Sequence, residues 1–313
     1  MRKHCVLHLT GGLGNQLFQF SAASSTLPTK LELEIGLGSP RGNSMGNPDI
    51  SAFNFPFVFV SRKSIGIFNY MAKKATGFAL RSAVSPVGLE KKRIVAKIIE
   101  ISVSVVLLIS TGRLNRVVRG YGTGYSVLPN IGGRTILIGY FQSHKFAESV
   151  YPELMKFQPK VIGPELAELI RIADQKTILV VHYRLGDYLY EDNFGTPGEN
   201  YYINAITKLW DSNQFDVIWV FSDDIFLAKE KFPTKFLSHV RWIDEVDSSP
   251  ASTLQAMRYG SGYVIANSTF SWWGAYLSMN QGSETIAPEP WFKGMESPLE
   301  LIPPHWKTVN SDF

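Results

Sequence analysis

The 313-residue chain has a single cysteine, and its charges nearly cancel: 31 lysines and arginines against 27 aspartates and glutamates leave a formal net charge of +4. One cysteine excludes an intramolecular disulfide and favours a reducing compartment. The first residues also lack the apolar core and cleavage site of a signal peptide, so we expect a cytoplasmic protein. The mild positive excess argues against nucleic acid, which needs a concentrated basic face. A local anionic ligand remains compatible with this balance.

Long hydrophobic runs are also missing. The longest candidate, residues 94–110, is interrupted by Lys97 and Glu100, so its unbroken part covers ~10 residues where a membrane-spanning helix needs ~20. It predicts a buried helix, or a helix followed by a strand. Basic residues flank it: Lys91, Lys92, Arg93, Arg113, Arg116 and Arg119. They form either solvated helix faces or a basic, apolar-backed surface in peripheral contact with an anionic membrane at its inner face.

Apolar runs that alternate with helix-like stretches predict parallel α/β sheets. In the second half, strands are predicted at 177–182, 216–221, 240–243 and 262–266, and helices at 164–173, 201–210 and 252–259. This alternation implies right-handed βαβ units. The first half offers an apolar run at 5–9 followed by a glycine turn and a helix, and a further strand at 135–140. We therefore predict an N-terminal domain, residues 1–160, and a C-terminal domain, residues 161–313.

A glycine-rich turn follows the first predicted strand. Ligands of parallel sheets lie at the carboxyl ends of the strands, so the residues that follow each strand matter most. Residues 11–16 read GGLGNQ, which is neither the G-x-G-x-x-G nor the P-loop pattern. Glycines let the backbone approach a ligand, and the helix behind them offers N–H groups to an anion. We predict that Gly12, Gly14, Asn15 and Gln16 bind a polar ligand, with a plain tight turn as the alternative.

The strand at 177–182 leads into HYRLGDY at 182–188. Arg184 lies two residues after His182, so both side chains leave an extended backbone on the same face. The Arg184 guanidinium can bind a phosphate through two parallel hydrogen bonds, oriented by His182 or Asp187. The alternative is a structural ion pair between Arg184 and Asp187.

Acceptors and hydroxyls follow two further strands. Asp223 and Asp224 suit ribose hydroxyls or a base, and can in principle hold Mg²⁺ beside a phosphate. The sequence has no D-x-D motif and no His/Cys cluster with ligand spacing, so we predict no metal. A second phosphate site or a simple helix cap is predicted at the start of the last helix, at Asn267, Ser268 and Thr269.

Five segments, in order, resemble the alpha-1,2-fucosyltransferase family. They are TGGLGNQLFQFSAA at 10–23, GYFQSHKF at 139–146, HYRLGDY at 182–188, FSDD at 221–224 and IANSTFSWWGAYLS at 265–278. Residues 36–130 carry no match. The resemblance implies a GT-B-like architecture in which two Rossmann-type domains face a cleft. The N-terminal domain would lie on the acceptor side, and the C-terminal domain would bind GDP-fucose.

The resemblance also implies an activity. It is the metal-independent, inverting transfer of L-fucose from GDP-β-L-fucose to the 2-OH of a galactose-terminated glycan, which forms an alpha-1,2 linkage. Arg184 matches the family's arginine tied to the donor diphosphate, and Phe270 joins the donor-binding set. The general base stays open among His182, Asp187 and Asp223. Two rival functions are a GDP-fucose hydrolase and a catalytically impaired GDP-sugar-binding homologue.

Three positions depart from the family's pattern. Leu185 stands where the family usually has a second arginine, and His144 stands where it favours an acidic residue. Thr253 occupies the position expected to be acidic ahead of the last motif. We expect Leu185 to remove one auxiliary charge but not the principal one, and the other two departures to change acceptor choice or to lower activity.

Overall fold

The structure is a computed structural model that describes residues 4–7, 9–25, 33–35, 48–54, 59–60, 98, 101–102, 105, 116–120, 123–128, 134–186, 188 and 192–313. Asp187 and most of the apolar run at 94–110 lie outside these residues. The chain divides into two compact units. Unit 1 comprises Met1–Lys156 with Pro298–Leu301, and unit 2 comprises Phe157–Ser297 with Ile302–Phe313. The predicted division at residue 160 and the roles given to its two parts remain predictions.

Unit 1 contains a parallel five-stranded sheet. Its strands are β1 (His4–Leu7), β2 (Leu33–Ile35), β3 (Phe59–Val60), β4 (Arg116–Arg119) and β5 (Arg134–Ile138). Their order is β3-β2-β1-β5-β4, and every pair is parallel. The helices described in this unit are α1 (Leu13–Ser25), α2 (His144–Glu148), α3 (Tyr151–Leu154) and a short 3₁₀ turn at Asp49–Ala52. The strand predicted at 5–9 and the one at 135–140 are confirmed as β1 and β5. The sequence did not indicate β2 or β3, and the helix face considered for Arg116 and Arg119 is wrong, because both residues lie in the strand β4.

Unit 2 contains a parallel six-stranded sheet. Its strands are β6 (Ile178–Tyr183), β7 (Val217–Ser222), β8 (Val240–Ile243), β9 (Gly262–Val264), β10 (Glu284–Glu289) and β11 (Lys307–Asn310). The order β11-β10-β9-β6-β7-β8 reverses direction between β6 and β9. This is the 3-2-1-4-5-6 arrangement of dinucleotide-binding sheets.

The helices of unit 2 follow the predicted alternation with its strands. They are α4 (Pro164–Ala173), α5 (Glu199–Ser212), α6 (Ile225–Lys231), α7 (Pro250–Met257) and α8 (Thr269–Tyr276), with 3₁₀ turns at Thr234–His239 and Val246–Ser248. The strands and helices predicted in the second half are confirmed within two residues at each end. The sequence did not indicate α6, β10 or β11.

The core of unit 2 explains why β6 reads as a continuous apolar run. All six of its residues are buried, because helices cover both faces of a parallel sheet. Tyr201, Ile206 and Leu209 of α5 pack against this sheet and are fully buried. The apolar strands therefore end in polar loops whose positions are fixed by the packed sheet beneath them. Within the described part of the chain, no helix has the length and apolar character needed to cross a membrane.

Candidate functional site

The reversal of strand order in unit 2 defines a candidate ligand site. β6 and β9 pair in parallel, with Val181 opposite Val264, and the loops that follow such a pair diverge to opposite sides of the sheet. Ligands of open α/β sheets bind at this kind of crevice. The structure brings four predicted residues to this edge: Arg184, Asp223, Asn267 and Ser268.

Arg184 follows β6 and forms an ion pair with the residue that follows β7. Its Nη1 lies 3.1 Å from Asp223 Oδ2, and the two side chains are 19% and 24% exposed. The guanidinium also lies over the ring of Tyr188, 5.2 Å from its centroid. The structure therefore pairs Arg184 with Asp223, and the alternative partner considered from the sequence, Asp187, lies outside the described residues.

Asp223 also binds the backbone of the loop after β6. Its Oδ1 accepts a hydrogen bond from Leu185 N at 2.8 Å, and its Oδ2 accepts one from Gly186 N at 3.1 Å. A Cβ atom at residue 186 would lie 2.6 Å from Asp223 Oδ2. A glycine is therefore needed there for the carboxylate to approach the backbone.

Asp224, the neighbour of Asp223, has a different role. Its Oδ1 accepts a hydrogen bond from Leu227 N at 3.0 Å and caps the N-terminus of α6. Ser222 stabilises the same turn, because its Oγ accepts from Asp224 N at 3.0 Å. Across the described ranges, no three His, Cys, Asp or Glu side chains are grouped so that they could hold a metal ion.

His182 is the penultimate residue of β6 and is 5% exposed. Burial lowers its pKa to about 4; Asp223 opposes this shift, and Arg184 adds to it. The imidazole is therefore neutral at pH 7. Its ring centroid lies 6.3 Å from that of Phe270, and its Nδ1 has no hydrogen-bond partner among the described residues.

The turn after β9 is a helix cap that also fixes a neighbouring loop. Ser268 is the N-cap residue of α8, and its Oγ accepts from Phe270 N at 3.3 Å. Asn267 is fully buried and donates through Nδ2 to the carbonyls of Phe194 and Gly195 at 3.1 and 3.0 Å. Thr269 is the first residue of α8, so the cap that the sequence left as an alternative is present.

The glycine turn of unit 1 is held together by amide side chains. Gly11 has a φ of +71°, a conformation that glycine adopts without strain. Gln16 Nε2 donates to Gly11 O at 2.9 Å, and Gln16 Oε1 accepts from Ile50 N at 2.9 Å. Gln19 binds Thr10 through two hydrogen bonds of 3.0 and 2.8 Å. These amides therefore brace the backbone of the turn.

Asn15 joins this turn to the loop after β5. Its Oδ1 accepts from Gln142 Nε2 at 2.9 Å, and β1 and β5 are neighbours in the sheet. Gly14 is buried in the first turn of α1, and Gly12 precedes that helix, where its carbonyl accepts from Gln16 N at 3.1 Å. The four predicted residues of this turn thus lie together in unit 1, whereas the arginine loop belongs to unit 2.

The three departures from the family's pattern are each engaged within their own unit. Leu185 is 2% exposed and packs in the core of unit 2. Thr253 Oγ1 donates to Ser249 O at 3.0 Å and accepts from Val246 N at 2.9 Å. His144 approaches the carbonyl of Glu300 with its N at 2.8 Å and its Nδ1 at 2.9 Å. Each of the three residues therefore has packing or hydrogen-bond contacts of its own at a position where the family usually has a charged residue.

Two contacts were not predicted from the sequence. Tyr188 lies under the Arg184 guanidinium, and an aromatic residue close to an arginine is the available signal for such a contact. The segment Pro298–Leu301 packs within unit 1, where Lys145 Nζ lies 2.9 Å from Glu300 Oε1. No pattern in the sequence indicated this placement.

Comparisons with known proteins agree with this architecture. The family model described as Glycosyl transferase family 11 matches residues 134–297, just over half of the chain. An alpha-1,2-colitosyltransferase of Escherichia coli is 26% identical over 97% of this chain and 98% of the relative. The O-antigen biosynthesis glycosyltransferase WbnK of Escherichia coli is 26% identical over 91% of this chain and 94% of the relative.

A solved structure is similar in fold. The ADP-heptose LPS heptosyltransferase II of E. coli matches with a TM-score of 0.50 and 11% identity, covering 98% of this chain and 90% of that one. At this identity the likeness concerns the fold alone. The predicted α/β, GT-B-like class with two Rossmann-type parallel sheets is confirmed.

Proposed function

Since the chain belongs to glycosyl transferase family 11, we propose that it moves L-fucose from GDP-β-L-fucose to the 2-OH of a terminal galactoside, with inversion and an alpha-1,2 linkage. The family match agrees with the one that the five sequence motifs indicated. The observation that carries the proposal is Arg184 at the strand-order reversal of a Rossmann-type sheet. A partly buried guanidinium at that position suits a nucleotide diphosphate.

The proposed step needs fixed positive charge beside the leaving group. The acceptor O2 forms a new bond to C1 of fucose while the C1–O bond to phosphate breaks. The electron pair of that bond leaves with GDP, and the acceptor proton passes to a base or to solvent. We assign the stabilisation of GDP to Arg184 without a metal, supported by the N–H groups near Ser268 and Thr269 in the same unit. One such donor contributes on the order of 10²–10³ in rate.

His182 is a weak candidate for the general base. Its pKa of about 4 leaves the neutral imidazole with little affinity for a proton at pH 7. We therefore propose that it acts as a neutral hydrogen-bonding group at the donor site. The other two candidates remain Asp187 and Asp223, and an oxocarbenium-like path needs little help from a base.

Colitose is a second candidate for the transferred sugar. One relative is an alpha-1,2-colitosyltransferase, and colitose is L-fucose that lacks the 3-hydroxyl. The same diphosphate site serves both donors, so the difference lies in the contact with the 3-hydroxyl. A site built to hydrogen-bond this hydroxyl rejects the deoxy sugar strongly, while an apolar site does not.

A transfer assay tests both donors. GDP-fucose and GDP-colitose are each incubated with a panel of β-galactosides in the presence of EDTA, GDP release is followed, and the product linkage is determined by NMR. We expect galactoside-dependent GDP release and a linkage to O2. Free fucose released without any galactoside would indicate a hydrolase instead. Tight GDP binding without turnover on any acceptor would indicate an impaired binding homologue.

We also propose that the chain contacts an anionic membrane peripherally while it receives a glycan acceptor. The run at 94–110 was predicted to be buried, but its three apolar residues that the structure describes are helical and exposed: Ile98 by 56%, Ile101 by 57% and Val105 by 47%. Basic residues flank this stretch in the sequence, which suits anionic lipid. Vesicles containing phosphatidylglycerol should sediment the protein at low salt and release it at high salt. A chain that stays in the supernatant at low salt would contradict the proposal.

A further inference from the structure

One carboxylate organises the whole loop that carries Arg184. The last residues of β6 and β7 pair as Tyr183 and Ser222, so Arg184 and Asp223 are the next residues beyond the sheet. Asp223 receives three donors there: Arg184 Nη1, Leu185 N and Gly186 N, at 3.1, 2.8 and 3.1 Å. Both of its oxygens are engaged in these contacts.

These contacts allow an acidic residue to lie beside an anion site without repelling the anion. An unpaired carboxylate there would repel a diphosphate, whereas one held by a guanidinium and two amides has its charge balanced locally. The missing Cβ of Gly186 permits the approach, because a Cβ would lie 2.6 Å from Asp223 Oδ2. The loop after β6, Gly186 and the Asp223 carboxylate therefore hold one another in place.

We propose that Asp223 is a positioning residue that acts through Arg184. It fixes the guanidinium and the loop backbone in the orientation that meets the diphosphate, rather than serving as general base or metal ligand. This inference rests on the proposed function, because it takes the diphosphate as the ligand of Arg184. Asp223 itself touches the arginine and the loop, and its effect on the ligand is indirect.

The chain provides a matched control at the opposite end of the same two strands. Asp216 precedes β7 and accepts hydrogen bonds through Oδ2 from Thr177 N at 2.7 Å and Thr177 Oγ1 at 2.8 Å. It thus joins β7 to the residue before β6, as Asp223 joins their other ends. An Asp216→Asn variant makes the same chemical change in a similar contact, away from the arginine.

The test is a double-mutant cycle read by GDP binding. Calorimetry gives the Kd of GDP for the wild-type chain, Asp223→Asn, Arg184→Ala, the double variant and Asp216→Asn. We expect Asp223→Asn alone to weaken GDP binding about tenfold, the scale of a charge-assisted hydrogen bond. In the Arg184→Ala background the same change should cause no such loss of affinity, because the guanidinium that Asp223 positions is absent. Asp216→Asn should bind GDP as the wild type does.

Two outcomes would overturn the inference. Equal losses in both backgrounds would mean that Asp223 acts independently of Arg184, and unchanged affinity in Asp223→Asn would mean that it positions nothing. Circular dichroism and thermal unfolding of each variant separate a folding defect from a binding defect. Failure of the proposed function would show differently, as a wild-type chain that binds GDP but transfers no sugar, and the binding cycle remains readable in that case.

Discussion

The two loops at the strand-order reversals differ in how they use their polar groups. In unit 1, the turn from Thr10 to Gln16 contains no charged residue, and Gln16 joins its backbone to Ile50. In unit 2, the loop after β6 presents Arg184, which pairs with a carboxylate from the neighbouring loop. Both loops looked like ligand sites in the sequence, but only one of them carries a charge that can balance a diphosphate.

Polar residues at a strand end therefore have either of two roles. A buried amide whose two ends bind the backbone maintains the shape of a turn. A partly buried guanidinium at a strand-order reversal provides a fixed charge to a ligand. The glycine turn can still approach a ligand through its backbone, so the predicted contacts of Gly12, Gly14, Asn15 and Gln16 remain predictions.

The largest effect should come from removing the positive charge of the loop after β6. Arg184→Ala should lower the transfer rate by about 10²–10³, since one preformed donor to the leaving group is lost, while the fold is retained. The rate is measured as GDP release with a galactoside acceptor. Arg171→Ala is the control, because Arg171 is exposed and pairs with Glu168 on the surface. Near-normal turnover of Arg184→Ala would show that the charge of the loop after β6 does not stabilise the leaving GDP.

The second prediction tests whether the arginine loop accepts charge only at position 184. Leu185→Arg restores the family's usual residue, but it places a cation among buried residues, where Leu185 is 2% exposed. We expect a loss of about 3 kcal/mol in the free energy of unfolding and no gain in rate. Leu185→Met, which preserves the apolar volume, should cost less than about 1.5 kcal/mol. A stable, faster Leu185→Arg variant would show that the family's second charge is simply missing here.

The third prediction concerns Gln16, whose amide side chain braces the glycine turn of unit 1. Gln16→Leu leaves Ile50 N and Gly11 O without their side-chain partner, which should lower stability by about 2 kcal/mol. Urea unfolding followed by circular dichroism measures this change. The exposed Gln175→Leu should stay within about 0.5 kcal/mol of the wild type. A Gln16→Leu variant of unchanged stability but weaker GDP binding would assign Gln16 to the ligand instead.

The last prediction separates the two loops by their dependence on pH. Burial lowers the pKa of His182 to about 4, so below pH 6.5 the unfolded chain takes up a proton that the folded chain refuses. Stability should therefore fall as pH drops from 6.5 towards 4, by up to about 1.4 kcal/mol per pH unit. His182→Gln should flatten this slope between pH 6.5 and 5, and the exposed His305→Gln should not. An equal slope in His182→Gln would contradict the assignment.

Much of the fold of unit 2 could be predicted, because local patterns of apolar residues specify its strands and helices. Buried parallel strands read as apolar runs, and β6, β7 and β8 were found where the sequence indicated. The polar residues after these strands followed from the same pattern. The short strands β2 and β3, of three and two residues, give no usable period.

The partners of the site residues were not predictable, because they lie far apart in the chain. Leu185 and Asp223 are separated by 38 residues, and Gln16 and Ile50 by 34. The sequence offered Asp187 as the partner of Arg184, since it is the nearest acid along the chain. Asp187 lies outside the described residues, whereas the contact of Arg184 with Asp223 depends on the pairing of β6 with β7, a property of the folded sheet.

Hydrogen exchange with and without GDP tests the contrast between the two loops most directly. We expect GDP to slow amide exchange most in the segments 182–188 and 222–224, which carry Arg184 and Asp223. Protection in residues 10–16 should be weaker. Protection confined to residues 10–16, with none in the arginine loop, would contradict the account.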